Sequence, residues 1–133
     1  MNTPLSLPRQ ALLVVGDIFF SSRLRDTLKH LGFGATSART DAEVEAAVGQ
    51  GTPALVIVDL TIKTLDAPEL VRRLKAAGAA MRGVPLIAFA GHLEVDRLGA
   101  AARAGADLVV TNGQISQNLP GLVASLGVAD APA

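Results

Sequence analysis

Short apolar runs alternate with stretches of helical period along most of the chain. A sequence that repeats strand and helix in this way closes a parallel sheet with helices on both faces. Five such βα units can be read. The first predicted strand, residues 11–15, leads into a helix whose Phe20, Leu24, Leu28 and Leu31 form one apolar stripe closed by Gly32. Residues 33–37 form the second strand. Thr40-Asp41-Ala42-Glu43 then reads as a capping box for a helix that buries Val44, Ala47 and Val48 and ends at Gly49 and Gly51. The third strand, residues 54–58, is followed by Asp66 as an N-cap and a helix with Leu70, Val71 and Leu74 inward, ending before Gly78. The fourth strand, residues 84–90, precedes a helix over about 93–104 bearing Val95, Leu98 and Ala102, with Gly105 as its left-handed cap. Residues 107–111 give the fifth strand, and a last helix buries Leu119, Leu122, Val123 and Leu126 before Gly127. Right-handed crossovers arrange these units as an α/β/α sandwich with strand order 2-1-3-4-5. Residues 1–10 and 128–133 read as flexible ends around one domain over 11–127.

Two of the apolar runs deliver an acid to the end of a strand: Asp17 follows the first, and Asp59 the third. In an open parallel sheet, ligands bind in the crevice outside the carboxyl ends of the strands, so both carboxylates are expected to face one pocket. The rest of the composition narrows what that pocket does. Twelve basic and twelve acidic side chains cancel, with no basic run, so the electrostatic footprint of a nucleic-acid or anionic-membrane binder is missing. The absence of cysteine excludes a disulfide scaffold, a thiolate zinc site and a cysteine nucleophile. No apolar stretch approaches the roughly 18 to 20 residues of a membrane span, and residues 1–10 carry no signal-peptide pattern. The expectation is a cytoplasmic protein.

With Asp17 past the first strand, Asp59 ending the third and Ala104-Gly105-Ala106-Asp107 opening the fifth, the chain resembles the receiver domain of bacterial two-component response regulators. The resemblance covers residues 11–126. It implies a flavodoxin-like sheet, a phosphoryl group accepted by Asp59, and magnesium held by Asp17, Asp59 and the backbone carbonyl of Thr61. The implied partner is a histidine kinase or another signalling protein, with output by protein contact and homodimerisation left open.

The departures from the family pattern are as specific as the matches. Gly16 stands where the family has its first acid, Ala90 where it has a Ser or Thr hydroxyl, and Asn112 where it has a Lys. Lys63 replaces a loop proline, Gly113 the proline after the lysine, and Val109 an aromatic switch residue. The pattern looks like that of a degenerate or pseudo-receiver, expected to stand alone without an effector domain. Phosphoryl transfer depends on positioning and on positive charge at the transferring oxygens, so loss of a Lys and a hydroxyl removes two stabilisers. Magnesium keeps several waters and needs only one or two protein carboxylates, so weak binding is expected.

Alternatives stand beside each of these roles. Asp59 could instead cap a turn or pair with Lys63, and such an internal pair would make the domain constitutive. His92, in the loop expected above the pocket, reads either as a solvent-exposed or helix-end residue, or as a partial substitute for the lost hydroxyl or lysine or a pH sensor. Phe19 and Phe20 read as packing residues. A dinucleotide fold is rejected because the first strand is followed by one Gly and then an acid that would repel phosphate. An Asp59, His92 and Asp96 hydrolase lacks both a nucleophile elbow and a zinc motif, so no enzyme is expected. Two functions remain: phosphorelay through Asp59, or an interaction module independent of phosphorylation.

Overall fold

The computed structural model describes residues 9–128. Of the expected flexible ends 1–10 and 128–133, residues 1–8 and 129–133 lie outside the described residues. Strands and helices alternate as β1 (Arg9–Val14), α1 (Ile18–His30), β2 (Phe33–Ser37), α2 (Asp41–Gln50), β3 (Leu55–Asp59), α3 (Ala67–Leu74), β4 (Leu86–Ala90), α4 (Val95–Ala104), β5 (Leu108–Thr111) and α5 (Asn112–Ser125). The strands form one five-stranded sheet in the order β2-β1-β3-β4-β5, with every pairing parallel. β1 begins two residues before the expected start, because Arg9 and Gln10 pair with Phe33 and Gly34 of β2.

Strand periodicity divides the interior into two layers. Leu12, Val14, Val56, Val58, Leu86 and Ala88 face α2, α3 and α4, where Val44, Leu70, Val71 and Ala101 cover them. The alternate residues Ala11, Leu13, Leu55, Ile57, Ile87 and Phe89 face α1 and α5, where Leu24, Leu28, Ile115, Leu119 and Val123 lie. The central strands are apolar on both faces because both faces are covered. Complete burial of a Leu or Ile contributes about 1.5–3 kcal/mol, so these strands anchor the sheet and hold their carboxyl ends in fixed register.

Local signals set the helix starts. Thr40 accepts a hydrogen bond from the Glu43 N–H at 3.1 Å, while Glu43 accepts from the Arg39 N–H at 2.7 Å, one residue earlier than a reciprocal capping box would have it. Asp66 caps α3 through the Glu69 N–H, as expected. Thr111 and Gln114 form a complete capping box at α5, which therefore begins directly at Asn112.

Four inward assignments need correction. Val95 opens α4 on the exposed side, Ala102 is also exposed, and Ala101 is the residue buried against the sheet. Leu98 stays on the buried side and Ala101, three residues on, replaces Ala102, so the buried face is offset from the expected stripe by no more than one residue, about 100° of turn. Leu122 and Leu126 are only partly buried. α5 is broken at Asn118 (φ −140°, ψ 34°), two residues before Pro120, whose ring excludes a continuous helix.

At the amino ends of the strands, Lys75 ties four segments together. Its ammonium, on a side chain 8% exposed, donates to the carbonyls of Arg82 and Val84 at 2.7 and 2.9 Å and to Asp107 Oδ2 at 2.8 Å. The same oxygen accepts from the Leu86 N–H at 2.8 Å. α3, the loop before β4, β4 itself and the entry to β5 thus share one polar centre.

Candidate functional site

Asp59 is the last residue of β3 and pairs in register with Phe89 of β4, so its side chain emerges where the sheet opens. It is half-buried. Its Oδ1 accepts from the Thr61 N–H at 2.9 Å and from the Thr61 hydroxyl at 2.7 Å, which fixes the carboxylate against the loop that follows. This is the turn-capping role weighed from the sequence. Asp17 is the N-cap of α1, its Oδ1 accepting from the Phe19 and Phe20 N–H groups at 2.8 and 3.1 Å. In each carboxylate the second oxygen has no hydrogen bond among the described residues.

A cavity of about 460 Å³ joins these groups. Asp17, Asp59 and Thr61 line it from the carboxyl ends of β1 and β3, Asn112, Gly113 and Ser116 from the first turns of α5, and Phe20, Arg23 and Phe89 from the side. A larger cavity of about 530 Å³ lies at the opposite ends of β1 and β3, around Gln10, Thr36 and Pro53, and has no acid in its lining. The carboxylates therefore mark the first cavity as the site.

The other residues singled out in the sequence fall in different places. Gly16 is exposed beside Asp17, and a Cβ placed on it would meet only Ile62 Cγ1 at 3.5 Å, an ordinary contact. Ala90 is 1% exposed, in the core rather than in the cavity lining. Lys63 is exposed and forms no ion pair with Asp59 or any other described acid, so the internal pair is not made. His92, expected above the pocket, lies exposed in the turn before α4 and does not line the cavity. Gly91, its neighbour, does approach the site, with Asn112 Nδ2 3.8 Å from where its Cβ would be.

Arg23 is the lining residue with site chemistry that the sequence reading missed. Its guanidinium carbon lies 5.3 Å from the centre of the Phe20 ring, and that ring packs against Phe89 at 5.2 Å with a 41° tilt. The available signal was spacing: Phe20 and Arg23 follow Asp17 by three and six residues, neighbouring positions on one helix face. Phe20 was assigned to the helix stripe alone.

The site holds two acids where a resident divalent ion usually has more, and among the described residues no group of three His, Cys, Asp or Glu side chains gathers. Two carboxylates, each with one uncommitted oxygen, still suit magnesium retaining most of its waters.

No family model matches the sequence, and no curated protein matches it. Solved structures do. A response-regulator candidate from Chloroflexus aurantiacus J-10-fl superposes with a TM-score of 0.79 at 19% identity, over 90% of this chain and 98% of that one. The chemotaxis response regulator CheY4 of Vibrio cholerae gives 0.77 at 14% identity, over 90% and 99%. A response regulator protein from Burkholderia pseudomallei, solved with a phosphorylated aspartic acid, a calcium ion and citrate, gives 0.74 at 18% identity, over 89% of this chain and 66% of that one. The fold is that of a CheY-like receiver domain. No helix among the described residues is long and apolar enough to cross a membrane.

Proposed function

We propose that this chain is a receiver-like signalling domain in which Asp59 accepts a phosphoryl group and the output is contact with another protein. The observation that carries the reading is the meeting of Asp17, Asp59 and Thr61 in one cavity outside the carboxyl ends of the strands. A free Asp59 oxygen attacks phosphorus in an acyl phosphate or a phosphohistidine. A P–O bond forms, the bond to the leaving acetate or imidazole breaks, and the leaving group departs with the electron pair. Asp17, Asp59 and the Thr61 carbonyl would hold magnesium, which supplies positive charge to the phosphoryl oxygens when bound. The Thr61 N–H and hydroxyl orient the Asp59 carboxylate through Oδ1 and leave Oδ2 as the nucleophile. Asn112 offers a neutral amide donor.

The reading extends to a cytoplasmic histidine kinase or a related signalling protein as partner, and to α4 and β5 as the contact surface. Leu93 and Val95, 82% and 69% exposed, stand at the start of that surface.

The second reading, an interaction module without phosphorylation, is favoured by Ala90 in the core and by Asn112 in place of a cation. Intact mass after incubation with acetyl phosphate and magnesium separates the two. Gain of one phosphoryl mass that disappears in Asp59→Asn supports the first reading, and an unmodified wild type supports the second.

A further inference from the structure

The cavity holds two acids and lacks the lysine of related sites, yet a phosphoryl group on Asp59 would bring further negative charge into it. Beside the magnesium those acids would hold, a side-chain cation is needed to take over the charge that the lysine supplies in related sites. Asn112 brings none, and Lys63 and His92 lie outside the lining. Arg23 lies within it.

Several arginines of the chain are committed elsewhere. Arg25, on the same helix, donates to the Ala35 carbonyl and the Ser37 hydroxyl, both at 2.6 Å. Arg39 donates to the Val15 carbonyl, Arg73 pairs with Asp41, and Arg97 with Glu94. Arg23 makes no hydrogen bond or ion pair among the described residues, and its only recorded partner is the Phe20 ring. That stack orders the side chain without consuming its donors, because a cation held over an aromatic face keeps its N–H edges free. Phe20 rests on Phe89, the register partner of Asp59, so the cation is seated on the wall that carries the nucleophile.

We infer that Arg23 supplies the positive charge of this site, its guanidinium fork binding the non-bridging oxygens of the phosphoryl group on Asp59 in place of a lysine at position 112. The inference rests on the reading of Asp59 as acceptor. It makes Arg23 a binding residue delivered from α1, so the cation comes from a different helix than the one that begins at Asn112. A planar fork is suited to paired phosphoryl oxygens.

The probe is beryllium fluoride with magnesium, which forms a carboxylate adduct shaped like an acyl phosphate, titrated into the full chain and followed by fluorine NMR. Wild type should bind, Arg23→Gln should bind about tenfold more weakly, equivalent to about 1.4 kcal/mol, and Arg23→Lys should stay close to wild type. Asn112→Lys should raise affinity more in Arg23→Gln than in wild type, a non-additivity expected only where both cations serve the same oxygens. Amide spectra of each variant check that the fold is kept. Equal affinity in wild type and Arg23→Gln would overturn the assignment to Arg23 alone, as would equal losses in the Lys and Gln variants. No adduct in wild type would instead overturn the reading of Asp59, and this inference with it.

Discussion

Replacement of Lys75 by Met tests how the amino ends of the strands are locked. Met keeps most of the stem volume, so packing against Gly105, whose Cβ position lies 3.2 Å from Lys75 Cβ, is largely preserved. What is lost is the ammonium and its three hydrogen bonds, to the carbonyls of Arg82 and Val84 and to Asp107. Hydrogen bonds to a charged group contribute about 1.5–3 kcal/mol each when taken singly, but they are not additive where one group makes all three. Removal of one partner from a fully buried ion pair costs about 3–5 kcal/mol. Here the Lys75 side chain is 8% exposed but that of Asp107 is 37% exposed, so water can solvate the orphaned carboxylate, which also keeps the Leu86 N–H. The expected loss is about 2–3 kcal/mol, or a fall in Tm of roughly 8–12 °C for a domain of this size. The chain has no Trp or Tyr, so urea and thermal unfolding should be followed by far-UV circular dichroism. Asp107→Asn should cost less than Lys75→Met, since an amide oxygen can still accept from Leu86 and Lys75. A loss below about 1 kcal/mol in Lys75→Met would refute the reasoning and place this cluster with ordinary surface pairs.

Gly16→Asp should raise magnesium affinity by about tenfold, because the site has room for a Cβ at position 16 and the change adds a third carboxylate; amide shifts in a magnesium titration measure it. Asp17→Ala should remove the α1 cap, at about 1 kcal/mol in urea unfolding, and abolish magnesium shifts at Asp59, whereas Asp17→Ser should keep most of the cap and lose the metal response. Gly105→Ala should destabilise by about 1–2 kcal/mol in thermal unfolding, since φ is +105° and the new methyl meets Lys75. Glu69 is held below the usual carboxylate range first by its hydrogen bond to Arg72, with the nearby Arg72 and Arg73 charges adding to it. A depressed carboxylate stabilises above its unfolded pKa and loses that contribution as pH falls through the folded one, so Glu69→Gln should match wild type in acid and differ, slightly for so exposed a pair, near neutrality.

The sheet was legible because its signals are local. β2 falls on residues 33–37 as read, and Leu24 and Leu28 of α1 are buried as their spacing requires. Asp17 and Asp59 were legible as a pair because position at a strand end fixes where a side chain emerges in a parallel sheet. What escaped notice depends on contacts distant in sequence. Lys75 and Asp107 are thirty-two residues apart and meet only after β4 and β5 have paired. Arg23 reads as an ordinary charge on the polar side of α1 until Phe20 and Phe89 pack and turn that side toward the cavity. The face of α4 was misread because Val95 suits a core position by type, while the helix start that sets its direction carries no side-chain cap.

The central claim is that Asp59 is a phosphoryl acceptor, and it is tested most directly at the residue. Incubation with acetyl phosphate and magnesium, reduction with borohydride and peptide mass spectrometry convert an aspartyl phosphate into homoserine and locate it in the sequence. The account predicts homoserine at position 59 and nowhere else, in low yield, rising in a variant that carries Asn112→Lys. An unreduced Asp59 in both proteins, or homoserine at another acid, would contradict it.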